Sequence, residues 1–390
     1  MNKSLRTLSL SFIFILCACS LNKRISDIKQ DYTGHFSDIQ YTYLTNSDLS
    51  DTSPYNGNMS LSEPAPVSLS WKASGIKKFK IKISESQNMD TPAFVYETNK
   101  KQFDFYNGKL YQYYWWTVSD VKETVVSTPM CFKVISGVAG PRNLKIEGVE
   151  NVRDIGGWGI KDDTAGTYTR RMKQGMLYRS GRFNEDKADT VNVTVTNEGL
   201  KELKDNLGIK TEIDLRRTSN NEIGSLTSSA LGEGVNYYNL PMLYEGKNIL
   251  TWQGKSGKDT YEYDNPAMIK RFFEILADKN NYPVVFHCSI GKDRTGCLAY
   301  LVEGLLNFDQ NLMYRDYMFT NFADAGMCKL SDVTDRYGRT IDEYVVPDND
   351  NPNMQQRVYA YLKNVVGVAS TDLDSVISIL HENRADDIYA

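Results

Sequence analysis

Residues 287–296 have the sequence His-Cys-Ser-Ile-Gly-Lys-Asp-Arg-Thr-Gly, and this stretch predicts the fold around it. Upstream, residues 282–287 form a short apolar run with β-branched side chains, which is typical of a buried strand. Downstream, residues 295–306 are apolar on almost every face and long enough for a core helix. A strand, a loop and a helix N-terminus in this order favour anion binding, because unpaired amides and the positive end of the helix dipole point at the loop.

The residue types in this loop suit phosphoryl transfer to sulfur. Cys288 would be the nucleophile, since amides, a helix N-terminus and a cation all favour its thiolate. Arg294 stays protonated and offers a planar fork that matches two phosphoryl oxygens. Thr295 can donate its hydroxyl to the sulfur and help to expel it from a phosphocysteine. We therefore predict transfer of the phosphoryl group to Cys288, followed by hydrolysis.

The other loop residues are expected to surround the substrate phosphate. Gly291 and Gly296 permit close backbone approaches, and Lys292 adds a second positive charge that favours highly anionic substrates. The alternative is a buried structural cysteine that precedes a core helix. The histidine, the two glycines and Arg-Thr-Gly in one register disfavour that alternative. The predicted phosphate-binding residues of the loop are Ser289, Ile290, Gly291, Lys292 and Thr295.

The loop resembles that of cysteine-dependent protein tyrosine phosphatases, and more narrowly the loop of the atypical bacterial tyrosine/lipid phosphatases, His-Cys-x-x-Gly-Lys-Asp-Arg-Thr-Gly. Three further segments resemble the narrower family in the expected order. They are Asn-Val-Arg-Asp-Ile-Gly-Gly at 151–157, with valine in place of the usual phenylalanine, Tyr-Arg-Ser-Gly at 178–181 and Ile-Asp-Leu-Arg at 213–216. The resemblance spans residues 138–390 and implies a tyrosine phosphatase-like catalytic domain.

A phosphotyrosine leaves as a phenolate, so a neutral carboxylic acid must protonate it. The resemblance implies that the acid is the aspartate inside the loop, Asp293, and that Asp214 is a second functional aspartate, which we group with the phosphate-binding residues. Asp264 is a further candidate, because its distance from Cys288 along the chain is the one that dual-specificity phosphatases favour.

Two of these aspartates have simpler explanations that the sequence leaves open. Asp264 is followed by Asn-Pro, which also fits the start of a helix. Asp214 could form an ion pair with Arg216 or Arg217.

The chain has three histidines. His287 adjoins the nucleophile and is expected to bond to the backbone and tune Cys288, whereas His35 is expected in a tether and His381 on a late helix. No His/Asp/Glu cluster has metal-ligand spacing along the sequence, so we expect no metal and no cofactor.

Residues 1–18 are expected to be a lipoprotein signal peptide. The mostly apolar residues 8–16 follow a basic start and are too short to span a bilayer. Leu-Cys-Ala-Cys at 16–19 resembles a bacterial lipobox, which implies cleavage before Cys19 and lipid attachment to it. Ser20 at the next position favours the outer membrane. The predicted location is the bacterial cell envelope, and the alternative is an ordinary secretory signal.

The composition agrees with an exported protein of two domains. The chain has 390 residues, of which 41% are hydrophobic, and its net charge of −4 offers no basic field to nucleic acid. Six cysteines are present, but two lie in the signal region and one must stay reduced to act as a nucleophile. A disulfide framework is therefore not expected.

Two modules are predicted after the signal. Residues 19–57 are rich in Ser, Asp, Asn and Thr, which predicts a flexible tether. Residues 58–137 contain six or seven short strands with an early tryptophan and a late Tyr-Tyr-Trp-Trp, and they resemble a fibronectin type III-like β-sandwich. We expect these aromatic residues to pack in a core, with a carbohydrate platform as the alternative. The partner of this module is not predicted.

Residues 138–390 alternate helical and strand patterns, which predicts an α/β domain with a mainly parallel sheet flanked by helices. Strands are expected at 209–215 and 282–287, so Asp214 and Cys288 would meet at the carboxyl ends of parallel strands. Residues 244–265 are expected to form a mobile lid. Further helices are predicted near 309–325, 353–366 and 371–384.

The sequence therefore predicts a lipid-anchored phosphatase that hydrolyses phosphomonoesters, with phosphotyrosine as the substrate class. Lys292 leaves phosphoinositides or inositol phosphates as an alternative. A second alternative is a non-catalytic surface-binding lipoprotein whose loop only captures a phosphorylated ligand. The expected partners are a phosphorylated protein or phosphoinositide substrate and the membrane, and no nucleic acid.

Overall fold

The computed structural model describes most of the chain from residue 23 onward. The described residues are 23–32, 34–46, 48, 59–158, 160–161, 168–184, 194–218, 222, 227–244, 248–255, 262–323 and 326–386. The predicted signal peptide and its lipid attachment at Cys19 lie outside them. Within these ranges, no helix combines the length and the apolar character that a membrane crossing requires.

Short strands dominate the first half of the chain and form the centre of the second half. Their bounds are β1 Arg24–Asp31, β2 Val67–Ser74, β3 Phe79–Ser84, β4 Phe94–Thr98, β5 Gln102–Phe105, β6 Tyr113–Asp120, β7 Met130–Lys133, β8 Arg142–Asn143, β9 Arg153–Asp154, β10 Ile160–Lys161, β11 Tyr168–Met172, β12 Leu177–Ser180, β13 Thr211–Asp214, β14 Asn236–Asn239, β15 Gln253–Gly254, β16 Tyr263–Asp264, β17 Val284–His287 and β18 His381–Asp386.

The helices lie mostly in the second half of the chain. They are α1 Asp38–Thr45, α2 Asn197–Lys201, α3 Asn265–Leu276, α4 Asp293–Leu305, α5 Gln310–Phe319, α6 Leu330–Val333, α7 Arg339–Asp342, α8 Met354–Tyr361 and α9 Ser370–Leu380. Three π-helical turns extend α2, α6 and α8, at Glu202–Asn206, Thr334–Gly338 and Leu362–Val366.

Two antiparallel sheets form the first module, in the orders β1-β2-β5 and β4-β3-β6-β7. They share one cluster of buried hydrophobic side chains. Phe79, Ile81 and Ile83 of β3 are buried, while the lysines between them are only partly buried, as strand periodicity requires. Tyr114 and Trp116 of β6 are also buried, so the expected core role is confirmed for these two, whereas Tyr113 is 44% exposed and Trp115 is only partly buried. The likeness to fibronectin type III stays a prediction.

Strand β1 lies inside the segment predicted to be a flexible tether. It pairs antiparallel with β2, from Arg24 opposite Ser74 to Asp31 opposite Ser68. Because β1 is an edge strand with one solvated face, its polar composition hides it from a composition-based prediction. The tether prediction is wrong for these residues.

Helix α1 also lies in the predicted tether. A capping box between Ser37 and Gln40 begins it, and Tyr43 and Leu44 are buried. His35, just before the helix, is 1% exposed. The tether prediction is therefore wrong here too, because a few apolar side chains suffice to dock a short capped helix.

A six-stranded sheet, in the order β14-β13-β17-β12-β9-β8, forms the centre of the second module. Its first four strands are parallel, whereas β9 and β8 run antiparallel to their neighbours. Helix α4 contacts β12 and β17, and every side chain from Arg294 to Leu305 is buried. This arrangement agrees with the predicted α/β domain.

The strand ends bring the predicted site residues together. Asp214, the last residue of β13, lies opposite His287, the last residue of β17. Ser180, the last residue of β12, lies opposite His287 on the other side. The loop after β17 therefore starts at the carboxyl edge in the middle of the sheet, where ligands of parallel sheets bind.

The helix predicted at 371–384 ends earlier than expected. It ends at Leu380, and His381 begins strand β18, which pairs antiparallel with β11. The prediction that His381 lies on a helix is therefore wrong. Local periodicity could not reveal this strand, because its partner is distant in the sequence.

The segment predicted to be a mobile lid, residues 244–265, contains the hairpin of β15 and β16. Residues 245–247 and 256–261 lie outside the described residues, and the mobility stays a prediction. At the end of the segment, Asp264 caps α3 by accepting a hydrogen bond from the amide of Ala267 at 3.0 Å. The helix-start explanation of Asp264 is confirmed.

Candidate active site

Cys288 lies directly after β17, where the chain turns into the loop that precedes α4. The residue is 2% exposed and carries a free thiol. Gly291 has a φ of +71°, and a Cβ added there would lie 2.5 Å from the carbonyl oxygen of Ser180. The loop can pass this close to the end of β12 only because the residue is glycine.

Three consecutive carbonyl groups of the loop, those of residues 289–291, are held from outside. They accept hydrogen bonds from Arg182 Nη1 at 3.0 Å, Asn151 Nδ2 at 3.0 Å and Arg179 Nη2 at 2.6 Å, in that order. These three donors belong to, or directly follow, the segments 151–157 and 178–181. The motifs around the loop therefore fix the direction of its carbonyl groups.

The direction of the carbonyls also sets the direction of the amides. In a trans peptide the C=O and the following N–H point to opposite sides. Since the carbonyls of 289–291 point outward, the amides of Ile290, Gly291 and Lys292 point to the concave side of the loop. Successive amides that face one concavity form an anion-binding nest.

The guanidinium of Arg294 lies on the first turn of α4 and is almost completely buried. Its Nη1 donates to the carbonyl of Leu215 at 3.1 Å, and it lies over the ring of Tyr244 at 4.9 Å. Burial opposes its charge, but the neighbouring Glu222 and Cys288 outweigh burial, so the pKa of Arg294 is raised above its usual value.

Glu222 holds Arg294 through two hydrogen bonds, from Nη1 at 2.7 Å and from Nη2 at 2.8 Å. Its Oε2 also accepts from the amide of Arg217 at 2.5 Å. Burial would raise the pKa of Glu222, but the charge of Arg294 lowers it below the usual value. Glu222 was not among the predicted site residues, because nothing in its local sequence pattern marks it as a partner of Arg294.

Two buried donors in the first turn of α4 have no hydrogen-bond partner among the described residues. They are Nε of Arg294 and the hydroxyl Oγ1 of Thr295. Buried donors are usually satisfied in folded proteins, and these two are available to hydrogen-bond an anion held by the loop. Both belong to residues that the sequence predicted to contact substrate.

Asp316 of α5 links the two motif arginines behind the loop. Its Oδ1 accepts from Arg153 Nε at 2.6 Å, and its Oδ2 pairs with Arg179. All three side chains are at most 1% exposed. Burial would raise the pKa of Asp316, but the charges of both arginines lower it below the usual value. Asp316 lies outside the quoted motifs, and its role was not predicted.

Asp293 is the first residue of α4, inside the loop as predicted. Its Oδ1 pairs with Arg336 Nη1 at 2.6 Å and accepts from the hydroxyl of Tyr317 at 3.2 Å. Its side chain is 14% exposed. Asp293 therefore reaches solvent, in contrast to Asp214, which is completely buried.

Asp214 forms the ion pair with Arg216 that the sequence left open. Its Oδ2 is 2.7 Å from Arg216 Nη2 and accepts from the hydroxyl of Tyr237 at 3.1 Å. Burial would raise its pKa, but the charges of His287 and Arg216 and hydrogen bonds from Arg216 lower it below the usual value. An ionised, fully buried carboxylate cannot donate a proton or attract a phosphate, so the structure gives Asp214 neither role.

Glu212, Asp214 and His287 form a buried cluster whose ligand atoms lie within 4.8 Å of one another. These three residues have no metal-ligand spacing along the sequence, because strand pairing brings together residues that are far apart in the chain. Arg216 occupies Asp214, and His287 Nε2 lies 3.0 Å from Glu212. This donor set fits hydrogen-bonded ion pairs better than a metal.

Lys292 is less available to a ligand than the sequence suggested. Its ammonium group lies 3.3 Å from Asp332 and 3.3 Å from the carbonyl of Met327. The backbone amide of Lys292 faces the concavity, but the charge of its side chain is shared with Asp332.

The fold and the site together define an α/β phosphatase domain with a cysteine-arginine phosphate loop. Residues 144–384 match the family model described as the tyrosine phosphatase family. The match covers more than half of the chain, so the chain belongs to the tyrosine phosphatase family.

Two curated proteins illustrate the range of relatives. The chain is similar to the Cupriavidus necator protein H16_A0669, provisionally named a tyrosine-protein phosphatase, with 25% identity over 202 residues, 49% of this chain and 67% of that protein. It is also similar to inositol diphosphatase DSP4 of Arabidopsis thaliana, with 34% identity over 65 residues. That match covers 17% of this chain and only 31% of the relative.

Among solved structures, the core catalytic domain of the PP-IP phosphatase SIW14 from S. cerevisiae is similar over 42% of this chain and 82% of its own length. The sequence identity is 19% and the TM-score is 0.27.

Proposed function

We propose that this protein hydrolyses phosphomonoesters, with phosphotyrosine as the substrate class, through a phosphocysteine intermediate on Cys288. The sulfur attacks phosphorus as the ester oxygen leaves. Water then attacks the phosphocysteine, the P–S bond breaks, and inorganic phosphate is released. Membership of the tyrosine phosphatase family supports the phosphatase chemistry, and the geometry of the loop supports the covalent route.

One observation carries the proposal. The loop turns its carbonyls outward, while Arg294 Nε and Thr295 Oγ1 remain as unpartnered buried donors beside Cys288. The inward amides and Arg294 would bind the phosphoryl oxygens and stabilise the charge that develops on them in the transition state. Thr295 would donate to the departing sulfur.

Asp293 is the best candidate for the general acid. It lies in the loop and is partly exposed, whereas Asp214 is ionised and buried, and Asp264 caps α3. In this proposal Asp293 protonates the phenolate oxygen as it leaves and then takes a proton from the attacking water. Its carboxyl group would have to exchange its contact with Arg336 for one with the substrate.

The decisive experiment compares Cys288→Ser with Cys131→Ser, using a phosphotyrosine peptide as substrate. Loss of the nucleophile should reduce kcat by at least about 10⁴-fold. Cys131 is an exposed cysteine on β7 of the first module, so its replacement should leave kcat unchanged.

Cys288→Ser also tests the non-catalytic alternative. A phosphatase loses turnover in this variant but still binds the phosphopeptide. A wild-type protein that binds the phosphopeptide without any turnover would contradict the proposal and support a surface-binding function.

A second candidate substrate class is an inositol phosphate or phosphoinositide. The similarity to an inositol diphosphatase favours it, although Lys292 shares its charge with Asp332. Parallel kcat/KM measurements on phosphotyrosine peptide and on inositol phosphates would decide between the two classes. A higher value for inositol phosphates would reject phosphotyrosine as the substrate class.

The proposed location is the bacterial cell envelope, with a lipid on Cys19. The lipobox-like sequence at residues 16–19 supports it. Expression of the full chain with radiolabelled palmitate should label the wild type, and Cys19→Ala should abolish the label. Labelling that persists in the variant would contradict the lipid site.

A further inference from the structure

A cavity of about 420 Å³ lies where the two modules meet. Strands β4 and β5 line it on the side of the first module, and α2 with its π-helical extension lines it on the other side. None of the described residues that line the cavity belongs to the phosphate loop or to the motifs around it. Junctions between domains are common places for ligand pockets, so the chemistry of this lining decides what the cavity could bind.

Glu202 is the buried acid of this cavity, with 7% of its surface exposed. Its carboxyl group accepts hydrogen bonds from the hydroxyl of Tyr96 at 3.0 Å, from Nδ2 of Asn107 at 2.6 Å and from Nδ2 of Asn206 at 2.5 Å. Glu202 and Asn206 are the first and last residues of the π-helical turn. Such turns are frequent at functional sites. The carboxyl group is therefore held in one place by side chains of both modules.

The three donors to Glu202 fix its position but bring no charge. A hydroxyl and two amide groups are neutral, and burial raises the pKa of Glu202 above its usual value in spite of them and of the charge of Lys201. A buried carboxylate is costly unless a cation compensates it. A positively charged ligand in the cavity would supply that compensation.

The rest of the lining is also acidic. Among its described residues there are five carboxyl groups and two lysines. Glu97 is paired with Lys78, and Lys145 is paired with Glu63. Lys78 and Glu63 both lie outside the lining, so the two pairs leave its acidic balance unchanged. The cavity therefore favours cations and disfavours phosphates and other anions.

Aromatic rings form part of the same wall. Tyr96, Phe103 and Tyr106 line the cavity and are half-buried. The rings of Tyr96 and Phe103 pack together, with 4.6 Å between their centroids. Nζ of Lys145 lies 4.4 Å from the centroid of the Tyr106 ring, so an ammonium group of the protein itself already uses this wall. The faces of aromatic rings attract cations, and quaternary ammonium ligands are recognised in this way.

We propose that this cavity is a binding site for a small quaternary ammonium compound, whose charge is compensated by Glu202 and whose methyl groups pack against the aromatic wall. The count of hydrogen bonds favours this class over a primary amine. A carboxylate has about four acceptor positions, and Glu202 already has three donors. A quaternary nitrogen has no N–H that needs an acceptor. The site lies outside the phosphate loop, so the proposal does not depend on the phosphatase activity.

The first test is calorimetric titration of the purified protein with choline and with 3,3-dimethyl-1-butanol, which has the shape of choline but no charge. We expect saturable choline binding with a Kd below about 1 mM, and binding of the neutral compound that is at least about 10-fold weaker. Absence of saturable choline binding, or equal affinity for the two compounds, would overturn the proposal.

The second test locates the bound cation. Glu202→Gln keeps the shape of the side chain but removes its charge, and it should weaken choline binding by at least about 10-fold. Glu123→Gln removes an acid on the surface of the first module, so it should bind choline as the wild type does. Wild-type affinity in Glu202→Gln would place the cation elsewhere and contradict the proposal.

Two variants of Phe103 test the aromatic wall, and they keep the proposal testable if Glu202→Gln does not fold. Phe103→Leu keeps an apolar side chain but removes the ring, so it should weaken choline binding by about 3- to 10-fold. Phe103→Tyr retains a ring and should retain most of the affinity. Equal losses in the two variants, or no loss in Phe103→Leu, would contradict a role of the ring.

Choline also occurs as a lipid headgroup, and titration with glycerophosphocholine distinguishes the two sources. This compound carries the phosphate of the headgroup, so the acidic lining should weaken its binding at least about 10-fold relative to choline. Equal or tighter binding would assign the cavity to a headgroup and overturn the assignment to a free cation.

Cys288→Ser separates this proposal from the proposed function. The variant should lose turnover of the phosphotyrosine peptide but bind choline with wild-type affinity. Loss of choline binding in this variant would place the cation in the phosphate loop and overturn the separate site. An absence of phosphatase activity in the wild type would contradict the proposed function and leave the choline result standing.

Discussion

The two modules are built around different kinds of core. In the β-sandwich, the central cluster consists of hydrophobic and aromatic side chains such as Phe79, Ile81 and Trp116, and most of the charged pairs, such as Glu123 with Lys80 and Lys82, are accessible to solvent. Behind the phosphate loop of the second module, Arg153, Arg179 and Asp316 are buried together. Most charged side chains of the sandwich are therefore accessible to water, whereas the catalytic module has a buried group of charged side chains.

This difference shows what each core does. Burying ion pairs contributes little to stability, because desolvation offsets their attraction. Apolar packing is the more effective stabiliser, and the sandwich relies on it. In the catalytic module the buried arginines direct carbonyl groups of the loop, so their charges serve the geometry of the site.

The largest expected effect comes from removing the charge that links the two arginines. Asp316→Asn removes the carboxylate that bonds both guanidinium groups, with only the buried Glu303 left beside them, and should lower the free energy of unfolding by roughly 3–5 kcal/mol. It should also lower kcat, because Arg179 would no longer be held against the carbonyl of Gly291. Urea unfolding and a phosphatase assay measure the two effects.

Glu123 offers the control for Asp316. It also bridges two cations, Lys80 and Lys82, but on the surface of the sandwich. Glu123→Gln should cost less than about 1 kcal/mol and leave kcat unchanged. Similar losses of stability in the two variants would remove the distinction between the modules.

A cavity in the sandwich core should reduce stability without affecting the chemistry. Trp116 is completely buried, and its Nε1 donates to Gln30 at 2.9 Å. Trp116→Ala should lower the free energy of unfolding by about 3–5 kcal/mol, with kcat unchanged below the unfolding temperature. Tyr113 on the same strand is 44% exposed, so Tyr113→Ala serves as the control and should cost less than about 1 kcal/mol. A fall in kcat for folded Trp116→Ala would mean that the sandwich affects the site.

The smallest expected effect concerns His35, which is buried between the modules. Burial, followed by the charge of Arg142, lowers the pKa of His35 from 6.5 to about 3. As the pH falls, the His35 imidazole takes up a proton in the unfolded chain but stays neutral in the folded protein. The contribution of His35 to the free energy of unfolding is therefore fully present above pH 6.5 and is lost as the pH falls toward 3. The loss should reach roughly 3 kcal/mol at pH 4.

Comparison with a variant isolates the contribution of His35. In His35→Gln the free energy of unfolding should change less between pH 7 and pH 4 than in the wild type. His381 is exposed, so His381→Gln should retain the wild-type slope. Glu202 acts in the opposite direction, because its raised pKa makes it stabilising at low pH, but it is common to all three proteins. Parallel curves for His35→Gln and the wild type would contradict the assignment.

The sequence predicted the parts of the site that are local in the chain. The strand, the loop and helix α4 are contiguous, and periodicity and residue type reveal such a unit directly. Asp293, Cys288 and Arg294 lie where the sequence expected them. Strands at the carboxyl edge also brought Asp214 next to His287, as the alternating pattern implied.

The parts that the sequence did not reveal depend on pairing between distant segments. Glu222, Glu212 and Asp316 act through partners on other strands and helices, and no local pattern distinguishes them from surface acids. Strands β1 and β18 are polar, and only their partners β2 and β11 make them strands. Composition therefore predicted a tether where β1 lies, and the local pattern predicted a helix where β18 lies. In both places, long-range backbone pairing decides the structure.

Strand β1 limits how far the enzyme could travel if Cys19 is lipidated. Only residues 20–23 separate that cysteine from Arg24, the first residue of β1. Even a fully extended link of this length spans no more than about 18 Å. The sandwich would then lie within one or two strand lengths of the lipid headgroups. The phosphatase would reach only substrates in a thin layer at the bilayer surface, and not those in the wider compartment.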